Sequence, residues 1–442
     1  MMKKVFEWIK NDQYLAWAYV IVYFVNNSTE AFIHWYLREA VALLYLWTLF
    51  LYLYHTFVTG KYRKGQYFIA AQIFLAATVV LTFRFKVNFR FSILQDFASL
   101  VFFLFPCCSS FMNSENREMR GSLNQLLSFF RYVTFVTSFA SVFGVYMKNP
   151  ITHFDGEGYG KVRGFYHNYN DACLFAYVSS MISFYFLSLK FFAKSLWSGK
   201  KEKAETVIDV LNLIGQLWLL YIIQSRTAMI SYGLGLLLLV LFWLNRIPGF
   251  RKHRFLIFAG VFLLGAAAVY VFVFTKYGAS RNIYYYLQDR GYSSLAELPE
   301  EDRIRMVSSL MSGRYALWKA TIEQIKLSPW FGYGLKSAGF TSPELPEKLQ
   351  NVHNLLLNVM HYTGIVGTVL LGRIFWLLTK RIYQNRGDIN IPLKALYYSF
   401  FSAAMLEPAI LYNWRAVSAV FWIVTGFLAT ELSDRETLSG RP

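Results

Sequence analysis

Residues 207–245 read VIDVLNLIGQLWLLYIIQSRTAMISYGLGLLLLVLFWLN, two apolar runs parted only by Gln224, Ser225 and Arg226. Each run approaches the roughly 20 residues that a helix needs to cross the hydrocarbon core of a bilayer. Lipid offers no partner for open backbone groups, so a segment of this kind crosses as a helix. The stretch predicts a transmembrane helical hairpin with an arginine in its turn.

The same pattern recurs along the chain, at 13–27, 31–57, 66–83, 91–112, 124–147, 171–192, 254–275, 354–379, 391–411 and 414–432. With the first pair this makes about twelve spans of the length a bilayer demands. The expected fold is an all-α integral membrane protein. Only 16% of its 442 residues are charged and 56% are hydrophobic, whereas a soluble domain carries about 25% charged residues.

The formal charge is +18. Most of the Lys and Arg residues lie between apolar runs, where membrane topology explains them, so nucleic acid is not an expected partner. Lys61, Arg63 and Lys64, Arg117 and Arg120, Lys190 to Lys203, Arg246 to Arg254 and Lys380 to Lys394 fall on one side of the expected membrane. Fewer basic residues fall on the other. The bias predicts cytoplasmic termini. Lys3, Lys4 and Lys10 precede a first run that no small-residue cleavage site closes, so that run is expected to stay as an anchor. Cys107, Cys108 and Cys173 lie in or beside apolar runs without zinc or disulfide spacing and read as packing residues.

The expected organisation is 1–275 for spans one to nine, 276–353 for a large extracytoplasmic loop, and 354–442 for spans ten to twelve with a short cytoplasmic tail. A connection beyond about 15 residues is usually functional or disordered. Within this one, SSLMSGRYALWKATIEQIKLSPWFGYG (308–334) predicts an amphipathic helix. Ser312 stands near its N-cap, and Leu317, Trp318, Thr321, Ile322 and Ile325 form its apolar stripe. Pro329 ends it, and Gly332 and Gly334 allow a tight return.

Three outward positions carry candidate chemistry: His353 at the mouth of span ten, Arg226 in the hairpin turn, and Arg314 at the start of the amphipathic helix. A neutral imidazole accepts protons near neutral pH, and guanidinium groups hold phosphate oxygens in pairs. The plainer alternatives stay open. His353 could cap a helix, Arg226 could snorkel to the interface, and Arg314 could pair with Glu323 or Asp302. Arg84, Lys86 and Arg90 form a basic cluster on the outer side, suited to lipid phosphate or to an anionic substrate, and Arg163 is a further outer cation. Asp96, Glu407, Arg38 and Glu39, near outer ends of spans, are structural pairs or orient an arginine. Asp155 and Glu157 are loop acids that could touch sugar hydroxyls. Gly364, Gly367 and Gly372 are expected to let helices approach closely.

His353-Asn354, followed after nine residues by GIVGT (364–368), resembles the histidine motif of the O-antigen ligase and polymerase superfamily. SGRYALWKATIEQIKLSPWFGYGLKSAGF (312–340) is similar to its arginine helix with a following P-x-x-G-x-G turn, with Trp318 where that pattern often has leucine. QSRTAMISYGLGLLLL (224–239) resembles its Ser-Arg segment, and GFYHNYNDACLFA (164–176) its outer-loop asparagine motif, here Asn170. The resemblance covers 160–380, with the motifs in the family order.

That resemblance implies a metal-independent, inverting glycosyltransferase without a cofactor in the bacterial cytoplasmic membrane, its site extracytoplasmic. Its donor would be an undecaprenyl-pyrophosphate-linked glycan. Its acceptor would be a sugar hydroxyl on a second lipid-linked repeat (a polymerase) or on lipid A–core (a ligase), with the polymerase favoured. By the same analogy His353 is the general base and Arg226 and Arg314 hold the pyrophosphate. Arg84, Arg90, Arg163, Asn170 and Asn354 are the expected substrate contacts. The bilayer, and flippase or chain-length regulator proteins, are the expected partners. A transporter is the rival of another class, disfavoured because no repeat relates the halves and the ionisable residues gather at outer ends. A peptidoglycan polymerase acting through Asp155 would leave the histidine motif without a role.

Overall fold

A computed structural model describes residues 7–28, 34–84, 91–109, 117–146, 164–166, 169–223, 225–245, 287–288, 291–293, 297, 299–300, 302, 314–335, 352–384, 390–407, 410–411 and 415–429. Among them there is no strand. In chain order the helices are α1 (Asp12–Ser28), α2 (His34–Leu53), α3 (Gln66–Arg84), α4 (Phe91–Phe102), α5 (Arg117–Tyr146) and α6 (Tyr169–Phe192). They continue with α7 (Lys200–Ile223), α8 (Arg226–Leu244), α9 (Arg314–Leu327), α10 (Leu355–Gln384), α11 (Ile391–Ala404) and α12 (Ala416–Leu428).

The apolar pattern decides which face each helix turns inward. On α5, Leu123, Leu126, Leu127 and Phe130 are wholly buried, at the spacing of one helix face. Val136 and Phe143, on the same helix, are about two-thirds exposed, at 62% and 65%, and their apolar side chains suit lipid. α7 likewise shows Ile214, Leu217 and Tyr221 outward while its polar Asp209, Asn212 and Gln216 are buried. α6 and α12 form the centre. α8 packs along α11, α6 along α7, α10 along α3 and α12 along α1.

Buried polar groups join the helices inside the bundle. Asp209 receives Arg131 Nη1 at 2.5 Å and Lys190 Nζ at 2.8 Å. Asn212 Nδ2 donates to Ser179 and Ser183, and Gln216 Nε2 to Asn212 Oδ1. At one end of the bundle Asp12 gathers Lys61 Nζ (2.5 Å), Tyr62 OH (3.1 Å) and Ser109 Oγ (2.7 Å). That cluster ties the start of α1 to the segments after α2 and α4. Those two segments leave the helices through π turns at Tyr54–Val58 and Phe103–Cys107. Pro106, which lacks a backbone donor, accounts for the second.

Seven of the described helices are long and apolar enough to cross a membrane, fewer than the twelve spans expected. Each expected stretch other than 254–275, which lies outside the described residues, holds a helix. Several are short, however. α12 is only 13 residues long, yet Ala416 to Gly426 and Leu428 are buried, so protein rather than lipid surrounds it and sets its length. The amphipathic helix begins at Arg314, and Ser312 lies outside the described residues. Its buried stripe is Leu317, Thr321 and Ile325, one turn apart each. Ile322 is 43% exposed, because it follows Trp318 around to the open side.

The glycines of α10 act differently from the expectation. Gly364 breaks the helix, with φ 64° and ψ −163°, and meets a loop backbone rather than a neighbouring helix. Among the described residues nothing beyond its own helix lies within 4 Å of a notional Cβ on Gly372, so it serves no close approach there. Beyond the break, 365–384 covers about 30 Å at 1.5 Å per residue, one hydrocarbon thickness. The turns before it, 355–363, follow His353 and Asn354.

Candidate active site

His353 sits just ahead of Asn354, the residue that precedes α10, in a left-handed conformation, φ +50°, which costs a non-glycine residue about 1–3 kcal/mol and persists only where neighbours enforce it. The neighbours are fixed on both sides. Val352 donates its N–H to Asn358 Oδ1 at 3.3 Å and accepts Trp318 Nε1 on its carbonyl at 2.9 Å. Asn354 Oδ1 caps α10 by accepting Leu357 N–H at 3.0 Å, and its Nδ2 donates to the Met405 carbonyl at 3.0 Å.

The imidazole is turned to a buried carboxylate. Glu407, wholly buried after α11, faces His353 Nδ1 with Oε2 at 3.1 Å. Its Oε1 accepts Asn170 Nδ2 at 2.7 Å and the Nη2 of Arg314. Arg415 Nη2 stands 3.7 Å from Oε2. Burial alone would push this carboxyl up, but the His353 hydrogen bond and the charges of Arg415 and Arg314 outweigh it. The net displacement is below the ordinary glutamate value. An ionised Glu407 can only accept, so it favours a proton on the facing Nδ1 of His353.

Arg314 is mounted by a joint between two sequence motifs. Its Nη1 also donates to Thr227 Oγ1 at 3.2 Å. At the far end of α9, Pro329 to Gly334 folds against the break in α10. Tyr333 and Gly334 donate to the carbonyls of His361 and Tyr362, each at 2.8 Å, and Ile365 donates to Pro329 at 2.8 Å. A Cβ on Gly332 would lie 2.5 Å from the His361 carbonyl oxygen. The glycines therefore let two backbones meet, fixing the helix that bears Arg314 to the one that follows His353.

Of the expected site residues, His353, Arg314 and Asn170 converge on Glu407. Arg226 is the first residue of α8, and its side chain lies outside the described part of the structure. Both of its neighbours touch the cluster, Thr227 through Arg314 and Ser225 through its hydroxyl on Asn170 Oδ1 at 3.2 Å. The side chain of Asn354 is committed to capping α10 and to Met405. Arg84 stacks over Phe331, 5.4 Å from the ring centre, beside the glycine joint rather than on Glu407. Arg90, Arg163, Asp155 and Glu157 lie outside the described residues. Asp96 is buried in α4, and Glu39 is exposed. Arg314 pairs with Glu407, and Glu323 pairs with Lys326 instead.

Sequence reasoning left the central part of Glu407 open and missed Ser225, Thr227, Arg415 and Asp171, whose Oδ1 lies 2.7 Å from Arg415 Nε, as members of the site. Ser225 and Thr227 flank Arg226, and Asp171 follows Asn170, so adjacency to a motif was the available signal. Arg415 lies far from every motif.

Residues 211–372 match the family model described as O-antigen ligase. The matched segment holds Arg226, Arg314 and His353, while Asn170, Glu407 and Arg415 come from outside it. The match supports placing the chain in the O-antigen ligase and polymerase superfamily that the four motifs resemble. No curated protein sequence matches the chain.

Proposed function

We propose, with membership of the O-antigen ligase and polymerase superfamily as the premise, that the chain transfers a glycan from a polyprenyl pyrophosphate to a sugar hydroxyl at the outer face of the cytoplasmic membrane. The observation that carries this is the convergence of His353, Arg314 and Asn170 on one buried carboxylate. Nε2 of His353 takes the proton of the acceptor hydroxyl as its oxygen attacks the anomeric carbon. The bond from that carbon to the pyrophosphate oxygen breaks, the polyprenyl pyrophosphate departs, and the configuration inverts. Guanidinium groups of Arg314 and Arg226 neutralise the departing charge without a metal ion. The leaving group is already activated, so positioning and charge stabilisation supply most of the acceleration.

Extension of a second lipid-linked repeat is the favoured use, with transfer to lipid A–core as the alternative. Deleting the gene and separating the surface glycan on a gel distinguishes them. Single repeats on the normal anchor mean a polymerase. Lipid-linked chains accumulating without attachment mean a ligase, and an unchanged glycan overturns both. In the complemented strain His353→Ala abolishes transfer at normal protein level, and Arg314→Ala weakens use of the donor. Full activity in either variant removes that residue from the mechanism.

A further inference from the structure

We propose that Arg415 is a positioning residue of this site: acting through Glu407, with Asp171 as its counterweight, it tunes the negative charge that His353 Nδ1 faces. The assignment rests on the transfer reaction proposed above, and it extends the site to a residue outside the family match.

Arg415 stands directly before α12, a helix buried along nearly its whole length. Its carbonyl accepts Ser418 N–H at 3.0 Å, and the N–H of the next residue, Ala416, donates to Asn27 Oδ1 at 3.2 Å. The backbone is thus held by α1 and α12 together. The guanidinium is only 13% exposed and is turned to two carboxylates, Asp171 and Glu407. Its Nε lies 2.7 Å from Asp171 Oδ1 on α6. Its Nη2 lies 3.7 Å from Glu407 Oε2, the oxygen that His353 Nδ1 also faces at 3.1 Å. A separation of 3.7 Å is too long for a hydrogen bond, so the coupling is electrostatic.

The sign of that coupling favours a working base. A carboxylate beside an imidazole, acting alone, favours imidazolium, and imidazolium cannot accept the acceptor's proton. Among the described residues, the charged groups facing Glu407 and His353 include Arg314 from α9, Arg415 ahead of α12, and Asp171 from α6 behind Arg415. Arg226 begins the adjacent α8. Two guanidinium groups on Glu407 offset its pull on the histidine proton while leaving it anionic enough to fix the Nδ1–H tautomer. Asp171 in turn moderates Arg415. Neutralising Arg415 therefore drives His353 toward protonation, and neutralising Asp171 drives it away.

The test uses the purified full chain in lipid nanodiscs. His353 is 37% exposed, which suits reaction of its neutral imidazole with diethyl pyrocarbonate. Modification followed by peptide mass spectrometry from pH 5 to 9 reports its midpoint, and glycan transfer is measured in parallel. R415Q should raise the midpoint by roughly 0.5–1 unit, as loss of a nearby charge in a partly hydrated site does. D171N should lower it, and R415K should restore a value near that of the unaltered protein. A role confined to stapling α6 to α12 would not give opposite shifts from the two substitutions. Shifts that are absent, or of the same direction, overturn the proposal. Where R415Q does not elute as a folded species, the downward shift in D171N decides alone. If the unaltered protein fails to transfer glycan while the opposed shifts appear, the proposed function falls and the electrostatic assignment stands. Transfer without shifts overturns the electrostatic assignment and leaves the proposed function in place.

Discussion

The backbone of Gly364 lies against that of Trp330. A Cβ on Gly364 would fall 2.3 Å from the Trp330 carbonyl carbon, and two residues later Val366 N–H donates to the Trp330 oxygen at 3.2 Å. The φ and ψ of Gly364, 64° and −163°, belong to a region that only glycine occupies readily. The histidine motif and the P-x-x-G-x-G motif are thus two halves of one joint.

Substituting that glycine is expected to damage the site by displacing the joint. G364A carries about 1–3 kcal/mol of backbone strain, with the collision against Trp330 in addition. Its unfolding temperature should fall, and transfer per folded molecule should fall at least about tenfold, the equivalent of 1.4 kcal/mol. G372A, with open space around its Cβ, should leave both near their original values. A G364A protein of unchanged stability and activity would mean that the joint does not hold the site together.

Glu407 should make folding sensitive to acid. Its carboxyl lies below the ordinary value of 4.5 despite burial, owing to His353, Arg415 and Arg314. A group lowered on folding contributes stability above its unfolded-state value and loses it as pH falls through the folded one. The contribution is therefore complete at neutral pH and is lost below about 4.5. E407Q lacks it, so its unfolding temperature should be lower at pH 7 and should converge on that of the unaltered protein as pH falls through the lowered folded-state value. The Nδ1–H tautomer also loses its anionic partner, and transfer should drop about 10²-fold, within the usual range for disabling a general base. Thermal scans across that pH range check the first outcome, and initial rates with lipid-linked donor check the second. Parallel curves for the two proteins would show that Glu407 carries no such linkage.

Much of the helical layout was legible in the sequence because lipid imposes length and apolarity on a spanning segment. The centres of α3, α6, α8 and α10 follow directly from apolar runs. The lengths of α11 and α12 did not follow, since helices enclosed by protein escape the bilayer's demand. At the site, His353 and Arg314 were legible from their motifs. Their meeting point was not, because Glu407 comes from a connector after α11 and no local pattern declares which distant cations will surround it. The break at Gly364 was hidden for a related reason. A glycine in an apolar run reads equally as close helix packing, and only the returning backbone of Trp330 and Phe331 decides between them.

The intramembrane ion pairs separate folding from chemistry. Asp209 holds Arg131 and Lys190 at 2.5 Å and 2.8 Å inside the bundle, apart from the His353 cluster. Removing one partner of a buried pair leaves uncompensated charge and typically costs about 3–5 kcal/mol. D209A strands Arg131 and leaves Lys190 with Glu205 alone, at 3.6 Å, so its yield and unfolding temperature should fall sharply, while the molecules that do fold should transfer glycan within about twofold of the normal rate, under 0.5 kcal/mol. H353A should behave in the opposite way, losing transfer altogether while giving up far less stability, since Arg314 and Arg415 still face Glu407. The comparison needs only thermal scans and rates normalised to folded protein. A D209A protein that keeps its stability, or one whose normalised rate drops more than about tenfold, would place the Arg131–Asp209–Lys190 cluster within the reaction itself. The charges buried in the membrane would then have a catalytic part that their distance from Glu407 along α6 and α7 argues against.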